Sequence, residues 1–236
     1  MSDVVDNHGE IENRREIKSY VLRAGRMTPG QQRGWDEGWP QFGVTREQGV
    51  LIPEVLFGRK APLVLEIGYG MGHSLIAMAS EEPDKDFVGI EVHRPGVGSL
   101  LNETQKNGLA NLRTYCDDAV KVLEECISDQ TLSRVQIYFP DPWHKKRHHK
   151  RRLIQPGFIE KIHPKLKPGG IIHMATDWEN YAEQMMEVMT ADTRFENMAG
   201  EYAFADRPDF RPMTKFERRG QRLGHGVWDL LFTRVS

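Results

Sequence analysis

The chain has 236 residues, 39% of them hydrophobic, enough to bury on the order of 70% of its unfolded surface around one core, so one α/β domain with extra segments is the simplest organisation. Its formal charge of −2 looks neutral, yet segments 14–33, 144–152 and 211–225 hold 17 of the 32 Lys and Arg and only 2 of the 34 Asp and Glu. Residues 1–16 contain no apolar h-region, nowhere do about 18 apolar residues run together, and the only cysteines, Cys116 and Cys126, form no Cys-x-x-Cys pair; secreted, membrane-spanning, disulfide-knot and zinc-ribbon classes are therefore not expected, and a cytoplasmic protein is.

In chain order, residues 1–16 read as a disordered leader. Residues 18–57, irregular and rich in Gly, Pro and Trp, read as an extension laid against the domain, with Trp35 and Trp39 as packing residues. On this division 1–57 is an N-terminal extension and 58–236 the main domain. The regular pattern begins at Leu63, where the apolar run 63–67 ends in glycines and helical spacing follows over 74–82. The unit repeats as a strand over 87–91 and a helix over 97–107, stopped by Gly108. A third strand is expected over 112–116 with a helix over 119–126. A fourth, over 134–139, is halted by Pro140 and Pro142 and precedes a helix over 158–166. After a Pro168-Gly169-Gly170 turn come a fifth strand over 171–175 and a helix over 178–189, and the weakly alternating 228–235 is placed as a last, antiparallel strand. Such alternation demands a mostly parallel sheet with helices on both faces, because parallel neighbours need crossover connections.

In an open parallel sheet, ligands sit at the carboxyl ends of the strands, so the residues just after each run are the ones to inspect. The first strand is followed by Gly68, Gly70 and Gly72, which allow a tight turn with close backbone approach, and the second ends in Glu91, an acid placed to take two ribose hydroxyls. A nicotinamide fingerprint wants glycine at its first, third and sixth positions, whereas His73 occupies the sixth here. The acid that precedes the glycines, Glu66, repels a pyrophosphate and suits a cation. S-adenosylmethionine, with a sulfonium, an ammonium and no phosphate, matches that chemistry; a glycine-rich turn that only packs is the plain alternative. Asp117 and Asp118, after the third strand, are placed to meet an adenine amino group.

After the fourth strand stand Pro140, Asp141, Pro142 and Trp143, where a methyl acceptor must meet the sulfonium. Two prolines stiffen the turn and aim the carboxylate. The arrangement is reminiscent of the Asp-Pro-Pro-Tyr turn of amino-methyltransferases, in which a base stacks on the aromatic ring; an Asp that merely caps and a Trp that merely packs are the bland reading. The run 144–152 begins at this turn with six Lys or Arg, three His and no acid. Solvated helix faces explain one such run, but three of them indicate a polyanion surface, and contacts from Arg147, His148, His149, Lys150, Arg151 and Arg152 would position an RNA without reading its sequence. No metal site is expected, since six cations oppose a divalent ion and no carboxylate or thiolate is interleaved. Asp177, after the fifth strand, and Thr214, Lys215, Phe216 and Glu217, near the last one, are further polar candidates at the same sheet edge or plain caps and turns.

Taken together, Leu65-Glu66-Ile67-Gly68-x-Gly70-x-Gly72, Gly89-Ile90-Glu91-Val92, Phe139-Pro140-Asp141-Pro142-Trp143-His144-Lys145, Ala175-Thr176-Asp177-Trp178 and Thr214-Lys215-Phe216-Glu217 closely resemble the bacterial tRNA (guanine-N7-)-methyltransferases, from about residue 20 to 235. The resemblance implies a Rossmann-like class I S-adenosylmethionine-dependent methyltransferase fold with a mostly parallel seven-stranded sheet. It implies cofactor contacts at Glu66, Glu91, Asp118 and Asp141, substrate contacts at Lys145, Asp177 and Thr214, Lys215, Phe216 and Glu217, and RNA contact along 147–152. It also implies a variable-loop guanosine of tRNA as target and no obligate protein partner. Asp141 is the candidate catalytic residue. The rival readings are an exocyclic-amino nucleic-acid methyltransferase, an inactive tRNA-binding protein with this fold and, with less support, a nicotinamide oxidoreductase.

Overall fold

The computed structural model describes residues 18–21, 25–213, 217 and 226–236. The expected 1–16 leader lies outside them. Before the regular part, the chain forms the short helix α1 (Pro29–Arg33), a π turn over Gly34–Gly38, α2 (Trp39–Phe42), the two-residue strand β1 (Gly43–Val44) and α3 (Pro53–Phe57). The alternating pattern follows as β2 (Leu63–Ile67), α4 (His73–Glu81), β3 (Asp86–Ile90), α5 (Arg94–Lys106), β4 (Leu112–Tyr115), α6 (Ala119–Glu125), β5 (Leu132–Tyr138) and α7 (Pro156–Ile162). The chain then continues through β6 (Leu166–Thr176), α8 (Glu179–Thr190), β7 (Phe195–Asn197) and β8 (Trp228–Arg234).

Among the described residues these strands form one eight-stranded sheet in the order β1-β4-β3-β2-β5-β6-β8-β7. All pairings are parallel except those of β8 with β6 and β7. The resemblance implies seven strands and the sequence pattern marks six; the described residues form eight, because β1 and β7 are too short to show a pattern in sequence. A second correction concerns Pro168, Gly169 and Gly170, which lie inside β6. Leu166 already pairs with Leu132, and the register then jumps so that Ile171 pairs with Arg134. Gly169, at φ 75°, supplies the left-handed residue of that bulge.

Alternation along the strands divides the core in two. Leu63, Leu65 and Ile67 of β2 face a layer built with Val122, Phe158, Ile162 and Met185 of α6, α7 and α8. Val64 and Phe87 face the opposite layer, with Leu75 and Met78 of α4 and Leu100 and Leu101 of α5. The extension closes this second layer. Trp35 and Trp39 stack at 4.6 Å between centroids, with Arg94 of α5 held 4.1 Å over Trp35, so both tryptophans pack as expected. A Cβ on Gly34 would lie 2.2 Å from the Gly98 carbonyl oxygen, so glycine is what lets this segment seat directly on α5. No described helix is long and apolar enough to cross a membrane.

Candidate active site

The chain runs outward from β2 to β3 and β4, then returns to place β5 and β6 on the other side of β2. The carboxyl ends of β2 and β5 therefore border the crevice where the strand order reverses, the usual ligand position of such sheets. A cavity of about 240 Å³ opens there, lined by Gly68, Glu91, Asp117, Asp118 and Asp141 among others. Acids from the ends of three different strands are thus brought together, and the described lining contains no Lys or Arg.

Backbone amides fix these acids in place. Gly68, Gly70 and Gly72 have φ of 75°, 60° and 81°, a region that penalises any side chain, and Gly72 directly precedes α4. The Gly70 amide donates to Glu91 Oε2 at 2.9 Å, while the Val92 and His93 amides donate to Glu91 Oε1 at 2.8 and 2.9 Å. Glu91 thereby locks the glycine turn to the end of β3. Asp118 caps α6 through Oδ1, which accepts the Val120 amide at 2.9 Å. Its Oδ2 accepts the Tyr20 hydroxyl at 3.0 Å, which brings the extension over the cavity. Ser19, Tyr20 and His93 line this space too, and nothing in the motif pattern marked them.

Glu66 lies deeper, 1% exposed, on the α4 side of β2. Ser74 Oγ donates to its Oε1 at 3.0 Å, but the buried Oε2 has no hydrogen-bond partner among the described residues. Burial pushes its carboxyl up to about 7, against the opposing pull of Ser74 and Arg134. A carboxyl raised on folding stabilises the protein while protonated, and that contribution disappears as pH rises from the unfolded value toward 7 and above. Raising pH from 5 to 8 accordingly costs about 2.5 kcal/mol at this one group. Glu66→Gln is expected to remove that part of the slope and to raise the melting temperature at pH 8 more than at pH 5. Thermal denaturation at both pH values checks this, and an unchanged slope would refute it.

At the end of β5 the backbone is strained at both ends of the turn, with Phe139 at φ 50° and Trp143 at φ 46°. Three contacts hold it so. The Phe139 amide donates to the Ala175 carbonyl at 2.7 Å, Trp143 Nε1 donates to the Ser19 carbonyl at 3.0 Å, and Arg152 Nε donates to the Pro142 carbonyl at 2.8 Å. Asp141, exposed at the apex, lines the 240 Å³ cavity and also a second cavity of about 500 Å³ formed with Val21, Trp143, His144, Lys145 and His148. Among the described residues, only Asp141 and His93 border both spaces. On the outer rim, His144 meets the exposed Trp178 edge-on at 4.3 Å, and Asp177 is exposed at the end of β6.

The basic run folds as a 3₁₀ helix over Lys146–Arg151 beside this second cavity. Lys145, Lys146, Arg147, Lys150 and Arg151 are exposed, while His148 and His149 are half-buried. Arg151 lies 4.9 Å over the Trp143 ring, and His148 meets that ring edge-on at 5.9 Å. Partial burial, reinforced by the surrounding cations, holds the His148 imidazole below its ordinary value. Arg152 departs from the expected RNA surface: it is 2% exposed, with its guanidinium turned inward.

Thr214, Lys215 and Phe216 lie outside the described residues. Glu217 is described and is buried, where a substrate contact was expected. Its Oε1 and Oε2 accept Arg211 Nη2 and Nη1 at 2.7 and 2.8 Å. Arg211, itself fully buried, also donates to both Asp229 oxygens at 2.7 Å. His173 Nε2 lies 2.7 Å from Asp229 Oδ1, and its Nδ1 lies 2.9 Å from the Tyr138 hydroxyl. This buried network ties the residue after the Thr-Lys-Phe segment to β5, β6 and β8.

Residues 60–230 match a family model described as "Putative methyltransferase". The tRNA (guanine-N(7)-)-methyltransferase of Alcanivorax borkumensis is 65% identical over 220 residues, covering 93% of this chain and 92% of that protein. Its namesake from Ectopseudomonas mendocina is 58% identical over 221 residues, covering 94% and 93%. Solved structures share the fold at much lower identity. An S-adenosylmethionine-dependent methyltransferase from Aquifex aeolicus superposes with a TM-score of 0.52 at 13% identity, covering 87% of this chain and 98% of that one. A 16S rRNA methyltransferase superposes with a TM-score of 0.55 at 16% identity, covering 78% and 92%. By sequence relatives spanning nearly its whole length, the chain belongs to the tRNA (guanine-N(7)-)-methyltransferase family.

Proposed function

We propose that the protein transfers the methyl group of S-adenosylmethionine to N7 of a variable-loop guanosine in tRNA. The observation that carries the reading is Asp141 on the border of two cavities, one rimmed by carboxylates and the other by the basic run. A cavity lined by Glu91, Asp117, Asp118 and Asp141 without a described Lys or Arg suits a cationic ligand without phosphate, and disfavours a dinucleotide. The unpartnered buried Oε2 of Glu66 fits the same ligand, because a cation would supply the missing charge partner. Glu91 and Asp118 would hold the nucleoside part and Glu66 the amino-acid part. When bound, the cofactor supplies an electrophilic methyl group on a positively charged sulfur.

Guanine N7 carries a lone pair and no proton, so the chain has no proton to remove during transfer and contributes chiefly orientation. The purine gains positive charge as the new bond forms. The Asp141 carboxylate, fixed between two prolines in a turn tethered on both sides, is placed to stabilise that charge and to hold the base edge. Lys145, which lines the outer cavity, and Asp177, exposed at the end of β6, are groups available to the nucleotide.

Incubation with labelled cofactor and unmodified tRNA, followed by nucleoside analysis, tests the proposal. 7-Methylguanosine is the expected product, and a methylated exocyclic amine would indicate the rival enzyme. Failure to bind cofactor in calorimetry would indicate an inactive tRNA-binding protein. The basic run makes a separable prediction. Arg147→Ala and Lys150→Ala each lower the slope of log binding constant against log salt by about one and weaken binding across tRNA sequences, leaving cofactor affinity unchanged. Filter binding at several salt concentrations reads both quantities, and an unchanged slope refutes the phosphate role.

A further inference from the structure

Arg152 closes a run of nine residues in which every neighbour is Lys, Arg or His, and its charge alone assigns it to the same surface. The structure separates it from them. Its Nε donates to the Pro142 carbonyl at 2.8 Å, and Nη1 to Gln184 Oε1 at 2.6 Å and the Asn180 carbonyl at 3.3 Å. Nη2 donates to Asn180 Oδ1 at 3.0 Å and lies 3.1 Å from His149 Nε2. These contacts use all five N–H groups of the guanidinium. Its flat face lies 4.7 Å over the Tyr181 ring.

Among the described residues every hydrogen-bonded acceptor is uncharged. A cation buried without a carboxylate carries a desolvation cost, and burial holds this guanidinium below its ordinary value. What the cost secures is the turn. Pro140 and Pro142 have no N–H, so the segment between Phe139 and Trp143 has few donors with which to fix itself. The Pro142 carbonyl directly follows Asp141 and is gripped by a fork anchored on the first turns of α8. That anchor is itself braced, since the Ile154 amide donates to the Tyr181 hydroxyl at 3.1 Å and Gln184 Nε2 donates to the Ile154 carbonyl at 3.1 Å.

We infer that Arg152 is a positioning residue for methyl transfer, clamping the Asp141 turn to α8, and that it does not contact RNA phosphate. The inference rests on the proposed N7 methyl transfer. A lysine at this position keeps the charge but replaces the planar fork by a compact ammonium, so the two roles diverge under Arg152→Lys. As a clamp, the variant loses between about 10- and 100-fold in kcat, with KM for tRNA and the salt slope of tRNA binding unchanged. Gln184→Ala, which leaves every cation of the run in place, gives a loss of kcat in the same sense, also without a change in tRNA binding. This second variant answers the question if Arg152→Lys does not fold. Arg147→Ala is the comparison for the phosphate role, and it reduces the salt slope of tRNA binding.

Arg152→Lys with retained kcat overturns the inference, as does a fall in tRNA affinity and salt slope that matches Arg147→Ala. An unaltered kcat in Gln184→Ala also counts against it. A wild-type protein that forms no 7-methylguanosine overturns the proposed function itself, and the clamp role falls with it.

Discussion

Asp141→Ala is expected to lower methyl transfer on the order of 10²-fold or more, the scale seen when one preorganised electrostatic group is removed from a transition state. Cofactor affinity should fall far less, because Glu91, Asp117 and Asp118 remain and only one of four acids lining the inner cavity is lost. Binding of tRNA should hardly change, since the exposed cations of the 3₁₀ segment are untouched. The split follows from where Asp141 stands: it borders both cavities, whereas Glu91, Asp117 and Asp118 border only the inner one. Asp141→Asn sharpens the test. It keeps the side chain's size and part of its hydrogen bonding but removes the charge, so a loss nearly as large as that of Ala assigns the role to electrostatics. A loss mainly in base holding would appear instead as a raised KM for tRNA with kcat preserved. Single-turnover methylation with saturating cofactor separates the outcomes, and near-normal transfer by a folded Asp141→Ala protein refutes the role.

The strands and the acids at their ends were legible in the sequence because both are local signals. An apolar run, a break, and a polar residue at the break need nothing from the rest of the chain, and β2, β3, β4 and β8 fall within a residue or so of where periodicity puts them. The glycine turn was equally plain, since three alternate glycines have few other uses. What stayed hidden depends on distant partners. Arg152 reads as one more surface cation until Asn180 and Gln184, on a helix some thirty residues later, are seen to surround it. Glu217 reads as part of a polar motif until Arg211 is found facing it from within the core. Tyr20 carries no pattern at all, and its hydroxyl contact with Asp118 shows that the extension helps to enclose the inner cavity. Periodicity reports which face of an element is apolar; it does not report which charged side chains are turned inward.

Arg211→Met is expected to destabilise the protein by about 3–5 kcal/mol, because it leaves Asp229 and Glu217 buried without their shared cation. For a chain of this length that corresponds to a fall on the order of 10 °C in melting temperature. The loss depends on pH in a defined sense. In the intact network burial pushes the Asp229 carboxyl up, but hydrogen bonds from His173 and Arg211 outweigh it and hold the group below its usual range. A carboxyl depressed on folding contributes stability above its unfolded value, and that contribution is lost as pH falls through the folded one. Without Arg211, burial acts with less opposition and Asp229 takes up a proton at a higher pH than before. The gap between wild type and variant should therefore be wide at pH 8 and narrower at pH 5, and a gap that is the same at both would show that charge burial is not its source. Arg211→Lys, which restores one cation but not the fork that bridges both acids, should fall between the two. Because Glu217 directly follows Thr214, Lys215 and Phe216, the Met variant should also lose methyl transfer well below its melting temperature. Full activity there would mean that the Arg211 network stabilises the fold without setting the position of that segment.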